Sequence, residues 1–597
     1  MTEVKKRSPL NTLWGFLKTH KVLIAVMFAS ELLISAVSVV TPLFQSYAID
    51  EYIAKNTAEG IGWFILVYSA LILASTALQY IETRSGMNLE MYLLRDMRRA
   101  TFNKLQTLPV SYFNANSVGA LHARVMSDSE KIGGIVVWDG NHGLRHIVYV
   151  AGAVCVMFSI NTYLALCVLA VVPLIALATA LFQRKLIKLN RKEREINARI
   201  TAGFNEGITG APTTKSLAIE NRLDEDFFRN TAEIKKKSVQ LVHYRSLFFS
   251  LITFASSAAL AAVLWYGGII TAEQVIGIGT LSVFMTYAQG MVAPVQWATG
   301  AIADLISVKV NLERITALLN EDGATDAPEI VEKYGDGFDH KRENWEKIDG
   351  DVEFENVSFR YPDGGGYVLE NFNLKVKRGS SVAIVGETGA GKSTLVNLLC
   401  RFYEPTSGRI LIDGKDVRER SCGWLHANIG YVLQSPHLFS GTVRENLLYG
   451  KEDATEEELL AAVKSVNADK VIEKLENGLD SHVGEGGGTL SAGEKQLLSF
   501  ARAILADPSL FILDEATSSI DTLTEKLVQD AVEKLMSGRT CFIIAHRLST
   551  VKNADVILVV SDGKIIERGN HKELLAMRGH YYNMYVKQFR EDGMKNL

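Results

Sequence analysis

A glycine-rich loop in the second half of the chain carries residue types that bind phosphate. Residues 386–393 read GETGAGKS, which matches the pattern G-x-x-x-x-G-K-[S/T]. An apolar run precedes the loop and a helix-like segment follows it, and the pattern requires this strand–loop–helix context. Backbone N–H groups of such a loop, together with the start of the helix, attract phosphate oxygens. The sequence therefore predicts a nucleotide site made by Gly386, Glu387, Thr388, Gly389, Ala390, Gly391, Lys392, Ser393 and Thr394.

Two side chains of this loop and two carboxylates elsewhere have distinct predicted roles. Lys392 would neutralise the β- and γ-phosphates, and Ser393 would hold Mg²⁺. The apolar run 510–513 ends in Asp514 and Glu515. Asp514 suits the magnesium shell, and Glu515 suits a catalytic group that positions or deprotonates a water molecule. Two acids at a strand end need a cation, which the phosphate loop would supply.

Short β-rich runs that alternate with helix-like segments must position these side chains. They occupy residues 351–597, and this alternation predicts an α/β domain with a largely parallel sheet. His546 follows the apolar run 542–545 and is another polar residue at a strand end. We predict that His546 contacts the γ-phosphate, and a purely structural histidine is the alternative.

The first half of the chain is much more apolar than the second. A bilayer core takes about 20 apolar residues as a helix. One stretch without Asp, Glu, Lys or Arg has 38 residues and therefore counts as two spans. We predict an all-α polytopic transmembrane domain over residues 1–320, with six helices and long cytoplasmic extensions, followed by the α/β P-loop ATPase domain. The uncharged stretches are 32–49, 60–81, 146–183, 246–272 and 274–303.

The distribution of Lys and Arg predicts the orientation of these spans. The first 21 residues carry five, segment 82–145 carries eight and segment 184–245 carries fourteen, whereas the other side carries only Lys55. By the positive-inside rule both termini, both long loops and the ATPase domain face the cytoplasm. The long loops turn near 108–114 and 209–214, where Gly or Pro interrupts the helical pattern. We therefore expect a multi-pass protein of the cytoplasmic membrane, with the lipid bilayer as a partner.

Four residues within the predicted spans are unusual for a membrane helix. Pro42, Pro173 and Pro294 each remove a backbone donor and can kink a helix, either as a tolerated bend or as a hinge. Glu31 lies inside the first predicted span, where a carboxylate usually faces a cavity or a partner. A role for Glu31 in substrate binding is one interpretation.

The overall composition excludes several other classes of protein. The chain has 63 Lys+Arg and 67 Asp+Glu, a net charge of −4, which gives no reason to expect nucleic acid as a partner. Its five cysteines lack metal-site spacing. Residues 321–350 are rich in Asp, Glu and Gly, a composition typical of a linker.

A second motif gives a resemblance to a known family. Leu490–Glu494 reads LSAGE, begins 24 residues before Asp514 and resembles the LSGGQ signature of ATP-binding cassette (ABC) proteins. Six spans followed by one cassette resemble an exporter-type half-transporter over nearly the whole chain. The resemblance implies that ATP is the nucleotide and that Tyr361 stacks on adenine. It also implies that Gln434 senses Mg²⁺ and the attacking water, and that Asp521 belongs to the D-loop.

The family arrangement implies a dimer. In this family the phosphate loop of one cassette faces the signature of the other, so Ser491 and Gly493 would act on the nucleotide of a second half-transporter. The cytoplasmic turns around Phe113 and Ala211 match the family's coupling helices, which contact the cassettes.

The signature departs from the family pattern at two positions. Ala492 adds a Cβ where the backbone approaches phosphate, and Glu494 replaces a neutral amide with a charge that would repel a triphosphate if it pointed inward. Because the signature acts on the other chain, any effect falls on the partner's nucleotide. The chain's own site residues are intact, namely Lys392, Asp514, Glu515, Gln434 and His546. This combination resembles the competent subunit of asymmetric heterodimeric exporters, which implies that the chain is the catalytically competent half of a heterodimer, and a homodimer is the alternative.

The predicted function is ATP-driven export by an alternating-access dimer. The spans contain few charges, which indicates small lipophilic or amphipathic substrates such as drugs or lipids. An importer built on the exporter fold, or an ATP-gated regulator or channel, are the alternatives. A soluble cassette ATPase that acts on nucleic acid is excluded by the six predicted spans.

Overall fold

A computed structural model of the chain describes residues 7–322, 326–362, 364–434, 436–514, 522–536, 538–545 and 551–595. The chain divides into two units. The first comprises Met1–Leu105 and Val118–Glu321, and the second comprises Gln106–Ser117 and Asp322–Leu597. A short segment from within the first half of the chain therefore belongs to the second unit.

The first half of the chain is helical throughout its described part. Three π-helical turns, Ile49–Ile53, Arg124–Asp128 and Ile135–Asp139, continue or join helices. The α-helices are α1 (Pro9–Leu17), α2 (Lys21–Ala48), α3 (Ile61–Gln106), α4 (Val110–Ala115), α5 (Val118–Ala123), α6 (Ser129–Gly134), α7 (Gly140–Ile160), α8 (Thr162–Leu169), α9 (Val171–Thr209), α10 (Ala211–Leu217), α11 (Glu220–Ala272), α12 (Ile278–Gly290) and α13 (Val292–Leu319).

Five helical segments of the described chain are long and apolar enough to cross a membrane. The remaining predicted span, which begins near residue 162, lies in α8 and α9, which are separated at Ala170. The prediction of a helical membrane region is therefore confirmed. The five segments are Pro9–Ile53, Ile61–Gln106, Val118–Ile160, Glu220–Ala272 and Ile278–Leu319.

Proline explains two of the interruptions in these helices. Pro173 is the third residue of α9, and its missing N–H would have bonded the carbonyl of Leu169, where α8 ends. Pro294 has the same relation to Gly290, the last residue of α12. Pro42, by contrast, lies inside the uninterrupted α2. Two of the three prolines thus coincide with helix breaks, whereas Pro42 does not.

The second unit contains two sheets. The larger has the strand order β10-β9-β3-β8-β7-β6, in which only the β9–β10 pair is antiparallel. The smaller has the order β2-β1-β4-β5 and is antiparallel, which the sequence did not predict. The strands are β1 (Val352–Phe359), β2 (Leu369–Val376), β3 (Ser381–Val385), β4 (Ser407–Ile412), β5 (Lys415–Asp416), β6 (Ile429–Val432), β7 (Leu510–Asp514), β8 (Thr540–Ile544), β9 (Val556–Ser561) and β10 (Lys564–Gly569).

Helices cover the larger sheet, and its central strands are buried on both faces. In β3, Ala383 packs in one apolar cluster and Ile384 in the other. Continuous apolar runs are typical of parallel strands covered on both sides, which is why the sequence revealed them. The helices of this unit are α14 (Pro328–Tyr334), which lies in the predicted linker, α15 (Lys392–Leu399), α16 (Cys422–Ala427), α17 (Val443–Leu448), α18 (Glu456–Ser465), α19 (Asp469–Ile472), α20 (Ala492–Leu505), α21 (Thr522–Met536), α22 (His571–Met577) and α23 (His580–Lys595).

Candidate functional site

The phosphate loop connects the buried strand β3 to α15. Gly386 begins the loop with φ of +156°, and a Cβ at this position would overlap the carbonyl oxygen of Val560. Gly389 and Gly391 have φ of +88° and +98°, in the left-handed region that favours glycine. Gly391 is also the residue before the first turn of α15. The glycines of the motif are therefore required by the backbone path.

Lys392 is held inside this loop. Its Nζ donates to the carbonyl oxygens of Gly386, at 2.7 Å, and Glu387, at 2.9 Å. The side chain is 7% exposed. Burial lowers the pKa of Lys392 below its usual range, and the charge of Asp514 opposes this effect. The loop thus holds a partly desolvated cation beside the start of a helix, an arrangement that favours phosphate.

The sheet brings other predicted residues to the same edge. Asp514 ends β7, which lies next to β8, and β8 lies next to β3 in parallel register. Gln434 is exposed and follows β6, the other neighbour of β7. The carboxyl edge of a parallel sheet is where ligands bind in open α/β folds. Glu515, Asp521 and His546 lie outside the described residues.

Tyr361 is already engaged near the loop. Its hydroxyl lies 3.1 Å from Oγ1 of Thr394, and its ring packs edge-on against Tyr403 with centroids 5.1 Å apart. Phe359 packs against the ring of Tyr361, with centroids 4.9 Å apart. The tyrosine that the resemblance assigns to adenine therefore contacts α15 directly.

The signature segment forms the start of α20. Ser491 caps the helix, and Glu494 returns the bond in a capping box, with Oε2 2.9 Å from the backbone nitrogen of Ser491. Lys474 approaches Glu494 at 3.6 Å. Burial raises the pKa of Glu494, but hydrogen bonds from Ser491 and the charge of Lys474 outweigh it, and the net pKa is lowered.

The capping box shows where the Glu494 carboxylate points. The Glu494 carboxylate bonds to Ser491 and Lys474, so its charge has local partners. The spacing S-x-x-E at 491–494 is the sequence signal of a capping box and would have predicted this contact. Among the described residues, no hydrogen bond joins Ser491 or the buried Gly493 to the phosphate loop.

One residue pair of the second unit was not predicted, although the resemblance implies that the coupling helix around Phe113 contacts a cassette. The amide Nδ2 of Asn114, on α4, donates to the hydroxyl of Tyr403 at 2.9 Å. The two residues are 289 positions apart, so no local pattern signals the pair. Through Tyr403 and Tyr361, α4 is linked to Thr394 of the phosphate loop.

Comparisons with known proteins agree with these two regions. Residues 24–295 match the family model of the ABC transporter transmembrane region, and residues 369–518 match that of the ABC transporter. A probable multidrug resistance ABC transporter ATP-binding/permease protein, YheH of Bacillus subtilis, is 35% identical over 92% of this chain and 78% of its own length. An ATP-dependent lipid A-core flippase of Syntrophus aciditrophicus is 33% identical over 91% of this chain and 88% of its own.

A third relative is also similar to this chain over most of its length. A fatty acid ABC transporter ATP-binding/permease protein of Mycobacterium bovis is 37% identical over 86% of this chain and 79% of its own length. Its similarity, like that of the other two, extends across both the helical region and the nucleotide-binding region. The chain therefore belongs to the ABC transporter family, as an exporter-type membrane protein whose nucleotide-binding domain couples ATP hydrolysis to transport.

Proposed function

We propose that this chain is one half of an ATP-driven exporter of lipophilic or amphipathic molecules in the cytoplasmic membrane. The observation that carries the proposal is the phosphate loop, with Lys392 buried inside it and Asp514 at the same edge of the sheet. The named relatives support the substrate class, since they are described as multidrug, lipid A-core and fatty acid transporters.

The residues at this edge fit a magnesium nucleotide. The desolvated Lys392 cation is suited to the β- and γ-phosphates, and Ser393, Gln434 and Asp514 offer oxygens of the kind that Mg²⁺ prefers. Bound ATP supplies the phosphoryl group that is transferred. Glu515 would position the water, His546 would contact the γ-phosphate, and Tyr361 would stack on the adenine.

A second half-transporter completes the unit. Ser491 and Gly493 at the start of α20 and the D-loop residue Asp521 act on the partner's nucleotide. Because the capping box gives the Glu494 carboxylate local partners, the heterodimer proposal relies on Ala492 and on the intact catalytic residues of this chain.

The predicted membrane topology remains part of the proposal. Both termini and the cassette face the cytoplasm, because Lys and Arg are concentrated in the N-terminal segment and the long loops. We also propose a transmembrane domain over 1–320, a linker over 321–350 and a nucleotide-binding domain over 351–597.

Helices α4 and α10, at the two predicted turns, act as coupling helices, and the contact between Asn114 and Tyr403 supports this role for α4.

The catalytic assignment is tested by Glu515→Gln in the purified transporter. The variant keeps the shape of the side chain and removes the carboxylate, so we expect turnover to fall at least about 100-fold, the scale of general-base catalysis, while ATP binding persists. Near-normal ATPase activity in the variant would refute the role of Glu515. Glu457→Gln, which changes an exposed carboxylate on α18, is the matched control.

Direction and pumping need a separate experiment. ATP-dependent accumulation of a fluorescent amphipathic probe inside inside-out vesicles supports export, whereas ATP-dependent loss of probe from them indicates import. A single-channel current without accumulation indicates a gated channel. ATPase activity of the chain purified alone, compared with the chain purified with a second half-transporter, distinguishes a homodimer from a heterodimer.

A further inference from the structure

Two buried carboxylates meet between three helices of the first unit. Glu31 on α2 and Glu82 on α3 are 0% and 3% exposed, and Asn141 on α7 is 0% exposed. The Nδ2 atom of Asn141 lies 3.1 Å from Oε2 of Glu31 and 2.5 Å from Oε1 of Glu82. We call these three side chains and Arg145 the Glu82 cluster. It ties α2, α3 and α7 together through polar contacts.

Within the cluster, the charge of Glu31 is matched. Arg145 binds it through two parallel hydrogen bonds, from Nε to Oε1 at 2.6 Å and from Nη2 to Oε2 at 2.8 Å. The hydroxyl of Ser35 adds a donor at 3.3 Å. A bidentate arginine pair of this kind satisfies both carboxylate oxygens.

The second carboxylate lacks such a partner. Glu82 accepts from Asn141 and from the hydroxyl of Thr83, at 3.0 Å, and no ion pair joins it to a described Lys, Arg or His side chain. The Arg145 guanidinium, which pairs with Glu31, also interacts electrostatically with Glu82, so the two carboxylates share one positive charge. Within the cluster, two carboxylates face one guanidinium. Oδ1 of Asn141 is buried and has no donor. The cluster is therefore short of one positive charge and of hydrogen-bond donors.

The surrounding elements do not make up the deficit. On α7, His146 packs against Trp297 of α13, with centroids 5.5 Å apart, and interacts electrostatically with Glu31, Arg145 and His142. Asp304 of α13 interacts electrostatically with Asp139, so the residues just before α7 add negative charge and no positive charge. Helix α12, which packs against α2, has no charged residue.

A proton is the cation that fits. An ionised carboxylate buried without a counter-charge is costly, and protonation removes the cost and adds one donor. Among the described residues, no group of three or more His, Cys, Asp or Glu is placed to hold a metal ion. We propose that Glu82 is a proton-binding site, occupied when α2, α3 and α7 pack as they do here. This site requires no nucleotide and is independent of the proposed export function.

Infrared spectroscopy of the full-length protein in a detergent without ester groups, at about pH 7, tests the proton directly. The carbonyl stretch of a protonated carboxylic acid should be present in the wild type and lost in Glu82→Gln. Glu130→Gln, which changes an exposed carboxylate, is the control and should keep the band. A band that persists in Glu82→Gln, or is absent from the wild type, would overturn the proposal.

Thermal unfolding as a function of pH gives a second measurement. A proton bound only in the folded state makes the wild type lose stability as the pH rises above the ordinary range of a glutamate in the unfolded chain. Glu82→Gln should lose that slope, because its neutral amide imitates the protonated acid. Glu31→Gln should lower stability at every pH, because it weakens the partner of Arg145. Parallel pH profiles for the wild type and Glu82→Gln would contradict the proposal.

Discussion

At the scale of single residues, the nucleotide site depends on backbone shape as much as on side-chain chemistry. Lys392 donates to two carbonyls of its own loop, which is possible only because the loop curls around it. Gly386 and Gly389 both have positive φ, but only Gly386 lies against another strand, at Val560. Substituting the two glycines in turn therefore distinguishes the cost of a positive φ from the cost of a steric overlap.

We expect Gly386→Ala to be more harmful than Gly389→Ala. A left-handed conformation costs a non-glycine residue about 1–2 kcal/mol, and at Gly386 the overlap with Val560 adds to the strain. Thermal unfolding should show the larger loss for Gly386→Ala, and titration with a fluorescent ATP analogue should show weaker binding. Equal losses in the two variants would mean that the contact with Val560 is relieved by a small shift.

At the scale of secondary-structure elements, helix ends carry much of the functional geometry. Helix α15 begins at the phosphate loop, and α20 begins at the signature with a capping box. Proline divides α8 from α9 and α12 from α13 by removing one donor each. Helix starts thus position both the phosphate loop and the signature, the two segments that face each other across the dimer in this family.

The capping box of α20 predicts unequal effects at Glu494. Glu494→Ala removes the returned hydrogen bond and should cost about 1 kcal/mol of stability, whereas Glu494→Gln keeps an acceptor and should cost less. Because the folded pKa of Glu494 is lowered, its ionic contribution is present above about pH 4.3 and is lost as the pH falls through the folded value.

Denaturation of both variants at several pH values checks this expectation. ATPase activity of Glu494→Gln within about twofold of the wild type would agree with a charge that is satisfied locally. Strong stimulation of turnover by the same change would instead mean that the carboxylate repels the partner's nucleotide.

The contact between α4 and the cassette predicts a coupling defect. Asn114→Ala and Tyr403→Phe each remove the same hydrogen bond, worth about 0.5–1.5 kcal/mol, so the double variant should be no worse than either single one. We expect transport to fall while ATP binding persists. Asn116→Ala, which removes a bond to the carbonyl of Tyr112 within the same segment, is the control. Additive losses would show that the two residues act separately.

At the scale of the whole molecule, charge and hydropathy define the two parts of the chain. The five membrane-length helical segments lie in the first half, and the charged loops between them predict the cytoplasmic side. Lys55, which pairs with Glu51 at 2.6 Å, lies in the short connection predicted to face outward. Glu321, at the end of the first unit, is predicted to face the cytoplasm.

Cysteine labelling tests this topology. After the five natural cysteines are replaced, Lys55→Cys should react with a membrane-impermeant maleimide in intact cells, because its site is exposed and is predicted to face outward. Glu321→Cys should react only after the membrane is permeabilised. The opposite pattern would invert the predicted orientation.

Much of the cassette could be read from the sequence because its features are local. Strands β3, β7 and β8 are continuous apolar runs, since both of their faces are buried. The edge strand β2 alternates buried with exposed residues and contains two asparagines, so its pattern resembles a loop. The smaller sheet was therefore missed, although the α/β fold was predicted correctly.

The sequence by itself determined the family, the phosphate loop and the membrane half, because motif spacing, glycine content and long apolar runs act over a few to about 20 residues. Only the tertiary structure decided which polar groups meet. Asn141 joins Glu31 to Glu82 across 110 and 59 positions, and Asn114 reaches Tyr403 across 289. Such pairs depend on how helices pack, and no periodicity along the chain encodes the partner of a buried side chain.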